Sequence, residues 1–333
     1  PFFSTHTPAS DISACLVGSE MCIRDRNIKK QNYSIAVGNF DGIHKGHKYL
    51  LDTLLKYKKT DNSKVAVLSF TPHPVKIMAP DKWQKNLVRF RTKYEKLKLL
   101  GLDALFLLSF SKKFSETSAE QFIVKYLINM LNVKNIVVGE DFRFGYNREG
   151  NVNLLKKYQE KGAFNVEAIK KKSDKQNNIY SSSLIRDLVK GGNMGKANSF
   201  LGYNWQVQGK VVRGNALGRT LGFPTANLKY MYQISPERGI YACWTKIEGE
   251  TKWRMSAASS GIRPHYDGKE EILEVYIFNY TGNLYQKRIK VSFVEKIRNE
   301  EKFNSDQDLI VRMKKDCEHI KEILINTEVL DNN

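Results

Sequence analysis

The chain has 333 residues, enough for two domains on the usual size scale, and 41% of them are hydrophobic, enough for ordinary cores. The 54 Lys+Arg against 35 Asp+Glu give a formal net charge of +19, which suits polyanionic partners (nucleotides, pyrophosphate, nucleic acid) or a lysine-rich solvated surface. No apolar run approaches the ~20 residues of a membrane span, and four cysteines without a CxxC pair exclude a disulfide framework and point to a reducing compartment, the cytoplasm.

Pro1 to Arg26 has no initiator Met at position 1 and lacks the order of a signal peptide. It reads as translated adapter or assembly read-through, a leader foreign to the fold. From Tyr33 onward, strand-like apolar runs alternate with amphipathic helical patterns. Ile35-Ala36-Val37 reads as a buried strand, and Tyr49-Leu50-Leu51 with Leu54-Leu55 recurs at helical spacing. Between them lies Gly38-Asn39-Phe40-Asp41-Gly42-Ile43-His44-Lys45-Gly46-His47, a strand-to-helix turn. Its glycines allow a tight turn and close approach of a ligand. The helix behind it aims free N–H groups and its positive dipole end at that ligand, which suits a phosphate. His44 and His47 lie three residues apart, can project toward one pocket, and can each donate a hydrogen bond to a charge-rich phosphorus transition state. The bland alternative is a turn with two incidental histidines. Zinc is disfavoured, since no CxxC or third ligand lies nearby.

The spacing then predicts a strand over Lys64–Phe70, broken by Thr71-Pro72-His73-Pro74. A helix over Thr92–Leu100 ends at Gly101. A strand at Ala104–Leu108, a helix over Ser118–Leu131, a strand at Asn135–Val138, a helix over Leu154–Lys161 and a strand at Asn165–Lys170 follow. This alternation predicts a parallel sheet with helices on both faces, its ligands bound beyond the carboxyl ends of the strands. The glycine-rich turn, the Pro-His-Pro turn and the turn after Val138 all follow strands and converge there. Lys170-Lys171-Lys172 to Asn178 reads as a solvated loop. Helices from Leu184 to Leu201, broken at Gly191-Gly192, bridge to the second half.

There the period changes. Gln206–Val212, Gly239–Ile247, Trp253–Ser259, Ile272–Phe278 and Leu284–Phe293 read as short strands of an antiparallel barrel or sandwich. Asp306–Leu324 carries an apolar stripe and reads as a closing helix. The run Gly214-Asn215-Ala216-Leu217-Gly218-Arg219-Thr220-Leu221-Gly222-Phe223-Pro224-Thr225-Ala226-Asn227-Leu228 permits a phosphate-cradling loop. In extended backbone Thr225 and Asn227 face the same way and offer oxygen ligands, as Mg²⁺ prefers. Taken alone, this run is also compatible with a structural hairpin, Ser181-Ser182-Ser183 with a helix N-cap, and Glu274 with a solvent-facing strand residue.

The order of these motifs carries a resemblance. The stretch from Gly38 to His47 resembles the HxGH signature of the nucleotidyltransferase superfamily, and its long form resembles the FAD synthetase branch. Phe70-Thr71-Pro72-His73-Pro74 is similar to that branch's FxPHP element. Gly139-Glu140-Asp141-Phe142-Arg143-Phe144-Gly145 is similar to its GxDFRFG element. Tyr180-Ser181-Ser182-Ser183-Leu184-Ile185-Arg186 resembles ISSTxIR, with Ser183 where Thr is usual. Gly214–Asn227 resembles the riboflavin kinase signature GxxxGRxxGFPTAN, Leu273–Phe278 its EVHxF strand, and Arg298-Asn299-Glu300 with Phe303 its LRxExxF element. Departures cluster at Ser259–Tyr266, at Tyr276 in place of His, and at Gly282–Gln286.

The resemblance implies an α/β, Rossmann-like nucleotidyltransferase domain followed by an antiparallel β-barrel riboflavin kinase domain with a closing helix. It places an FAD synthetase domain at 27–190, a linker at 191–204, the kinase at 205–326 and a tail at 327–333. In the first domain it assigns ATP to Gly38, Asn39, Phe40, Asp41, Gly42, His44, His47, Ser181, Ser182, Ser183 and Arg186. FMN falls to Pro72, His73, Pro74, Asp141, Phe142 and Phe144. In the kinase it assigns ATP to Gly214, Gly218, Arg219, Gly222, Pro224, Thr225 and Asn227, Mg²⁺ to Thr225 and Asn227, the base to Glu274, and flavin contacts to Arg298 and Phe303. His44, His47 and Arg186 carry the adenylyl transfer. The implied small molecules are riboflavin, FMN, FAD, ATP, ADP and pyrophosphate, with neither nucleic acid nor membrane. Two rivals stand beside this reading: an enzyme with one live module, and a basic nucleic-acid-binding protein, for which no RNA-recognition motif or basic-aromatic stripe is present.

Overall fold

The structure, a computed structural model, describes residues 12–16, 22–24, 31–214, 217–265 and 268–330. Packing divides the chain into two units, Pro1–Gln84 with Lys93–Tyr180, and Lys85–Thr92 with Ser181–Asn333.

The first unit is built on a seven-stranded sheet. Its strands are β1 (Ile12–Leu16), β2 (Cys22–Arg24), β3 (Tyr33–Val37), β4 (Lys64–Thr71), β5 (Ala104–Ser109), β6 (Val133–Gly139) and β7 (Asn165–Ile169), in the order β2-β1-β5-β4-β3-β6-β7. The five strands from β5 to β7 are parallel, as the alternation predicts. Successive residues of a strand point to opposite faces. Tyr33, Ile35 and Val37 therefore join one core layer with Leu68, Phe106, Phe122 and Tyr126. Ala36, Val65, Val67 and Leu105 join a second layer with Leu51, Leu54 and Leu97. Helix α1 (Lys45–Thr60) supplies Leu51 and Leu54 to that layer. Strand β1 pairs antiparallel with β5, and β2 with β1. Helix α2 (Pro74–Met78) follows β4, and α3 (Phe90–Leu99) ends before Gly101, whose φ is +86°. The helix expected over Ser118–Leu131 starts as α (Ala119–Gln121) behind a Ser118/Gln121 capping box and continues as a π-helix over Phe122–Met130.

In the second unit, α4 (Ser182–Lys190) and α5 (Met194–Leu201) are separated at Gly191 and Gly192. Six strands follow: β8 (Gln206–Lys210), β9 (Ala226–Lys229), β10 (Gly239–Ile247), β11 (Trp253–His265), β12 (Gly268–Ile277) and β13 (Arg288–Arg298). They pair antiparallel in the order β8-β13-β10-β11-β12-β9, and a bridge between Val212 and Asn227 brings the two ends together, so the barrel is nearly closed. Inside, Trp205, Tyr241 and Phe293 interlock, with ring centroids 5.0 and 5.3 Å from Phe293. Outside, α6 (Asp306–Ile325) lays Ile320 and Leu324 on Ala242 and Phe278. The segment Lys85–Thr92 is part of this unit's core. Leu87 is fully buried, and its carbonyl accepts from Trp205 Nε1 (2.8 Å) and Gln233 Nε2 (2.9 Å).

Candidate active site

In the first unit, β3 lies between β4 and β6, so the turns after these three strands open at one edge of the sheet. That edge, where crossover direction reverses, is where open α/β sheets bind ligands. The turn after β3 reverses through three residues with left-handed backbone: Phe40 (φ 47°), Gly42 (86°) and Ile43 (41°). Such φ values are costly for non-glycine residues. Burial of Phe40 and Ile43, 2% and 5% exposed, offsets the cost by packing both into the core. The turn delivers His44 as the N-cap of α1, its Nδ1 accepting from the His47 N–H at 3.3 Å. The two imidazoles stack, with centroids 3.7 Å apart, and Phe40 closes over His47 at 5.1 Å. A methyl group at Gly46 would sit 3.1 Å from both His44 Nδ1 and Tyr180 Cβ, so a larger residue there would press on the His44 ring.

Burial pushes the His44 imidazole down to about 4. His47 is held well below the usual imidazole range by burial, then by His44 and Lys93. Both rings are therefore neutral near pH 7. Because His44 Nδ1 accepts a hydrogen bond, its proton sits on Nε2, which is a donor. His47 Nδ1 is buried and has no hydrogen-bond partner. Beside them, Asn39 Nδ2 and His73 Nε2 lie 3.0 Å apart, and His73 Nδ1 accepts from the Val75 N–H at 3.2 Å as the cap of α2. With Nδ1 occupied as acceptor, the neutral His73 ring carries its proton on Nε2. The Asn39 amide then turns its Oδ1 toward that proton, which also satisfies an otherwise unpartnered buried oxygen. His73 thus couples the turns after β3 and β4. Pro72 follows a cis Thr71–Pro72 bond and Pro74 is the first residue of α2.

After β6, Asp141 pairs with Lys171 at 2.8 Å, both half-exposed. Phe142 stacks on Phe144 at 5.3 Å, and Phe144, 7% exposed, packs on Phe122 in the core. Phe142 is the more accessible ring of the pair. Ser181, Ser182, Ser183 and Arg186 fall in the second unit. There Ser181 caps α4 by accepting from Leu184 N–H (3.3 Å), and Arg186 Nε donates to the Lys85 carbonyl (3.2 Å). Lys93 was not anticipated: its Nζ reaches the Asn39 carbonyl and Ser69 Oγ. Nothing in the lysine-rich pattern of α3 marks it out from the other lysines of that helix.

The second unit brings Asn227 and Glu274 together. They are direct partners in the β9–β12 register, so their side chains leave the same face of the barrel about 5 Å apart at Cβ. Asn227 is 4% exposed, and its Nδ2 lies 3.4 Å from the Thr225 carbonyl, so Oδ1 is the amide's remaining oxygen ligand. A Cβ at Gly214 would come within 2.5–2.8 Å of that amide, and one at Gly218 within 2.4 Å of the Phe223 carbonyl. The loop therefore folds onto the strand that bears the donors. The Thr225 hydroxyl and the Asn227 amide oxygen are the hard-oxygen donor types that suit Mg²⁺ completed by water and phosphate. No group of three His, Cys, Asp or Glu able to hold a metal exists among the described residues. Tyr276, on the same face as Glu274, packs edge-on against Phe223 at 5.3 Å and against Phe278 at 5.5 Å. Its ring thus fills the position of the expected His with an aromatic contact to the Gly222-Phe223-Pro224 turn. Arg298 is held by Asp316 and lies 5.9 Å from the Phe303 ring. The Arg219 side chain lies outside the described residues.

The FAD synthetase family model matches residues 26–183 and the riboflavin kinase model residues 201–324. The bifunctional riboflavin kinase/FMN adenylyltransferase of Buchnera aphidicola subsp. Schizaphis graminum is 35% identical over 300 residues, covering 89% of this chain and 96% of its own length. That of Escherichia coli (strain K12) is 36% identical over 282 residues, covering 85% and 90%. That of Listeria monocytogenes is 33% identical, covering 86% and 90%. A Streptococcus pneumoniae crystal structure, described as a macrolide-efflux protein, superposes with a TM-score of 0.79 at 31% identity, covering 89% of this chain and 96% of its own. Among the described residues of this chain no helix is long and apolar enough to cross a membrane.

Proposed function

The chain belongs to the bifunctional riboflavin kinase/FMN adenylyltransferase family, and from that premise we propose how its residues divide the two reactions. ATP phosphorylates riboflavin to FMN, and a second ATP adenylylates FMN to FAD with release of pyrophosphate. Matches to both family models disfavour the one-module reading.

In the kinase unit Glu274 takes the proton from the ribityl hydroxyl as that oxygen attacks the γ-phosphorus and ADP leaves. The facing positions of Asn227 and Glu274 are the observation that carries this reading. Thr225 and Asn227 would hold Mg²⁺, whose charge neutralises the phosphate oxygens when bound. Gly214, Gly218, Gly222 and Pro224, with Arg219, shape the loop around the triphosphate. Phe303 borders the flavin.

In the adenylyl-transfer unit an FMN phosphate oxygen attacks the α-phosphorus, and the bond to the departing pyrophosphate breaks. FMN phosphate is already nucleophilic, so no protein nucleophile is needed, and catalysis is in-line positioning plus charge stabilisation. Neutral His44 and His47 serve as hydrogen-bond donors to the phosphorus oxygens. Ser181, Ser182, Ser183 and Arg186 are assigned to the triphosphate on their motif alone. Phe142, Pro72 and His73 border the flavin end.

The test is incubation with riboflavin, ATP and Mg²⁺, with FMN and FAD followed by chromatography. His47→Ala is expected to accumulate FMN and to lose FAD synthesis by ~10²-fold. Equal loss of both steps would contradict separate sites.

A further inference from the structure

The reaction as derived makes no use of Lys93, a part-buried lysine of the first unit. Lys93, on α3, donates from Nζ to the Asn39 carbonyl at 2.5 Å and to Ser69 Oγ at 2.8 Å. Ser69, fully buried in β4, donates to the same carbonyl at 3.4 Å. Two groups from two elements thus converge on one main-chain oxygen. That oxygen belongs to the residue just before the left-handed reversal at Phe40, Gly42 and Ile43. The Gly38 N–H is fixed to the Leu68 carbonyl at 3.0 Å, and the Asn39 side chain to His73. The loop's entry is therefore tied through the Gly38 N–H, the Asn39 carbonyl and the Asn39 amide, and Lys93 contributes the charge among those ties.

We propose that Lys93 is a positioning residue for adenylyl transfer, its ammonium pinning the Asn39 carbonyl and so setting the path of the loop that presents His44 and His47. This rests on the assignment of those histidines to the phosphorus oxygens. Peptide carbonyls bind an ammonium more strongly than a neutral donor, by roughly a factor of two in energy. A lysine that lost its charge, or its length, would release a turn already burdened with two non-glycine residues at positive φ.

The groups facing the ammonium are Asp41 in the loop, His47 on α1 and the neutral Ser69 on β4. Burial pushes the Lys93 amine down to about 8, with Asp41 pulling the other way. In return, the Lys93 charge helps keep His47 uncharged. Lys93 is consequently charged at pH 7 and loses its proton on mild alkalinisation, a signature that an ordinary surface lysine lacks.

The experiment measures FMN adenylylation and riboflavin phosphorylation separately for the full chain, wild type, Lys93→Met and Lys93→Arg, from pH 6 to 10. Lys93→Met is expected to lower kcat for adenylylation by about 10²-fold, the scale of a 1 Å misplacement, while FMN formation is unchanged and reports that the protein is folded. Wild-type adenylylation should fall with an apparent pKa near 8. That limb should vanish in Lys93→Met and move upward in Lys93→Arg, which should also recover part of kcat. Adenylylation at wild-type rate in Lys93→Met, or an alkaline limb near 8 that survives the substitution, overturns the proposal. His47→Ala run alongside separates the two readings. Loss there with an unaffected Lys93→Met overturns the lysine's role alone, and full activity in both overturns the histidine assignment as well.

Discussion

Asp316→Ala is expected to unfold the second unit at markedly lower temperature. Arg298 ends β13 and Asp316 lies on α6, with side chains only 9% and 8% exposed. The pair makes three N–H···O contacts: Nε to Oδ1 at 3.1 Å, Nε to Oδ2 at 2.9 Å and Nη2 to Oδ2 at 2.7 Å. Nη1 is held by the Asn299 carbonyl at 2.9 Å. Removing the carboxylate leaves the buried guanidinium with the Asn299 carbonyl and, at 3.8 Å, the more exposed Glu301 carboxylate. Breaking a buried pair in this way costs about 3–5 kcal/mol, most of it the uncompensated charge. In a unit of this size 1 kcal/mol moves the midpoint by about 2–4 °C, so about 4 kcal/mol lowers it by about 8–16 °C. The double variant Arg298→Met/Asp316→Leu replaces the pair by apolar groups and should return to within about 1 kcal/mol of wild type. Calorimetry of the full chain, with FMN formation tracking the second unit, is the assay. A shift below about 2 °C for Asp316→Ala, or a double variant as unstable as the single one, would refute the reasoning. Because the double variant is folded, its KM for riboflavin also isolates any contact of Arg298 with the flavin from its hold on α6.

Glu274→Gln is expected to cut riboflavin phosphorylation by about 10²–10⁴-fold with FAD synthesis from supplied FMN intact, and a loss under tenfold would remove Glu274 as the base. Gly214→Ala would drive a methyl group to 2.5 Å from Asn227 Nδ2. FMN formation should then fall by about 10–10²-fold through displacement of that amide, and an unaltered rate would show that the loop yields instead. The value of about 4 for His44 lies below the ordinary 6.5, so the unfolded chain binds that proton first. Stability from this source is complete above pH 6.5 and declines as pH falls toward 4. His47 acts in the same direction. A His44→Asn variant should flatten the first unit's unfolding curve in that window, and an unchanged slope would assign the acid sensitivity elsewhere.

The alternation of apolar runs with 3.6-residue patterns was enough to read the parallel sheet, because Ile35, Val67, Leu105 and Val137 are buried whatever their partners. Strand order was not legible, since no local pattern says that β6 pairs with β3 rather than with β5. Strand β9 was passed over because four residues at the end of a glycine-rich loop leave no period to detect. Its pairing with β12 is nonetheless what sets Asn227 opposite Glu274. The motifs located His44, His47, Asn227 and Glu274. They could not show that Phe144 is committed largely to the core, or that the Arg298 guanidinium is occupied by Asp316. Lys93 was invisible for a related reason: its role depends on a strand hydroxyl and a backbone oxygen, neither of which leaves a trace in side-chain spacing.

Lys85–Thr92 gives the barrel an ancestry problem during synthesis. These eight residues leave the ribosome roughly a hundred residues before the strands whose interior they complete. Until then the buried Leu87 and Val88 have no partner of their own unit, and such exposed apolar segments are what holdase chaperones bind. The same detour means that no single scission yields two whole pieces. A polypeptide begun at residue 181 would lack the carbonyl that Trp205 and Gln233 share, and would be expected to precipitate or to bind a peptide spanning 85–92 in trans.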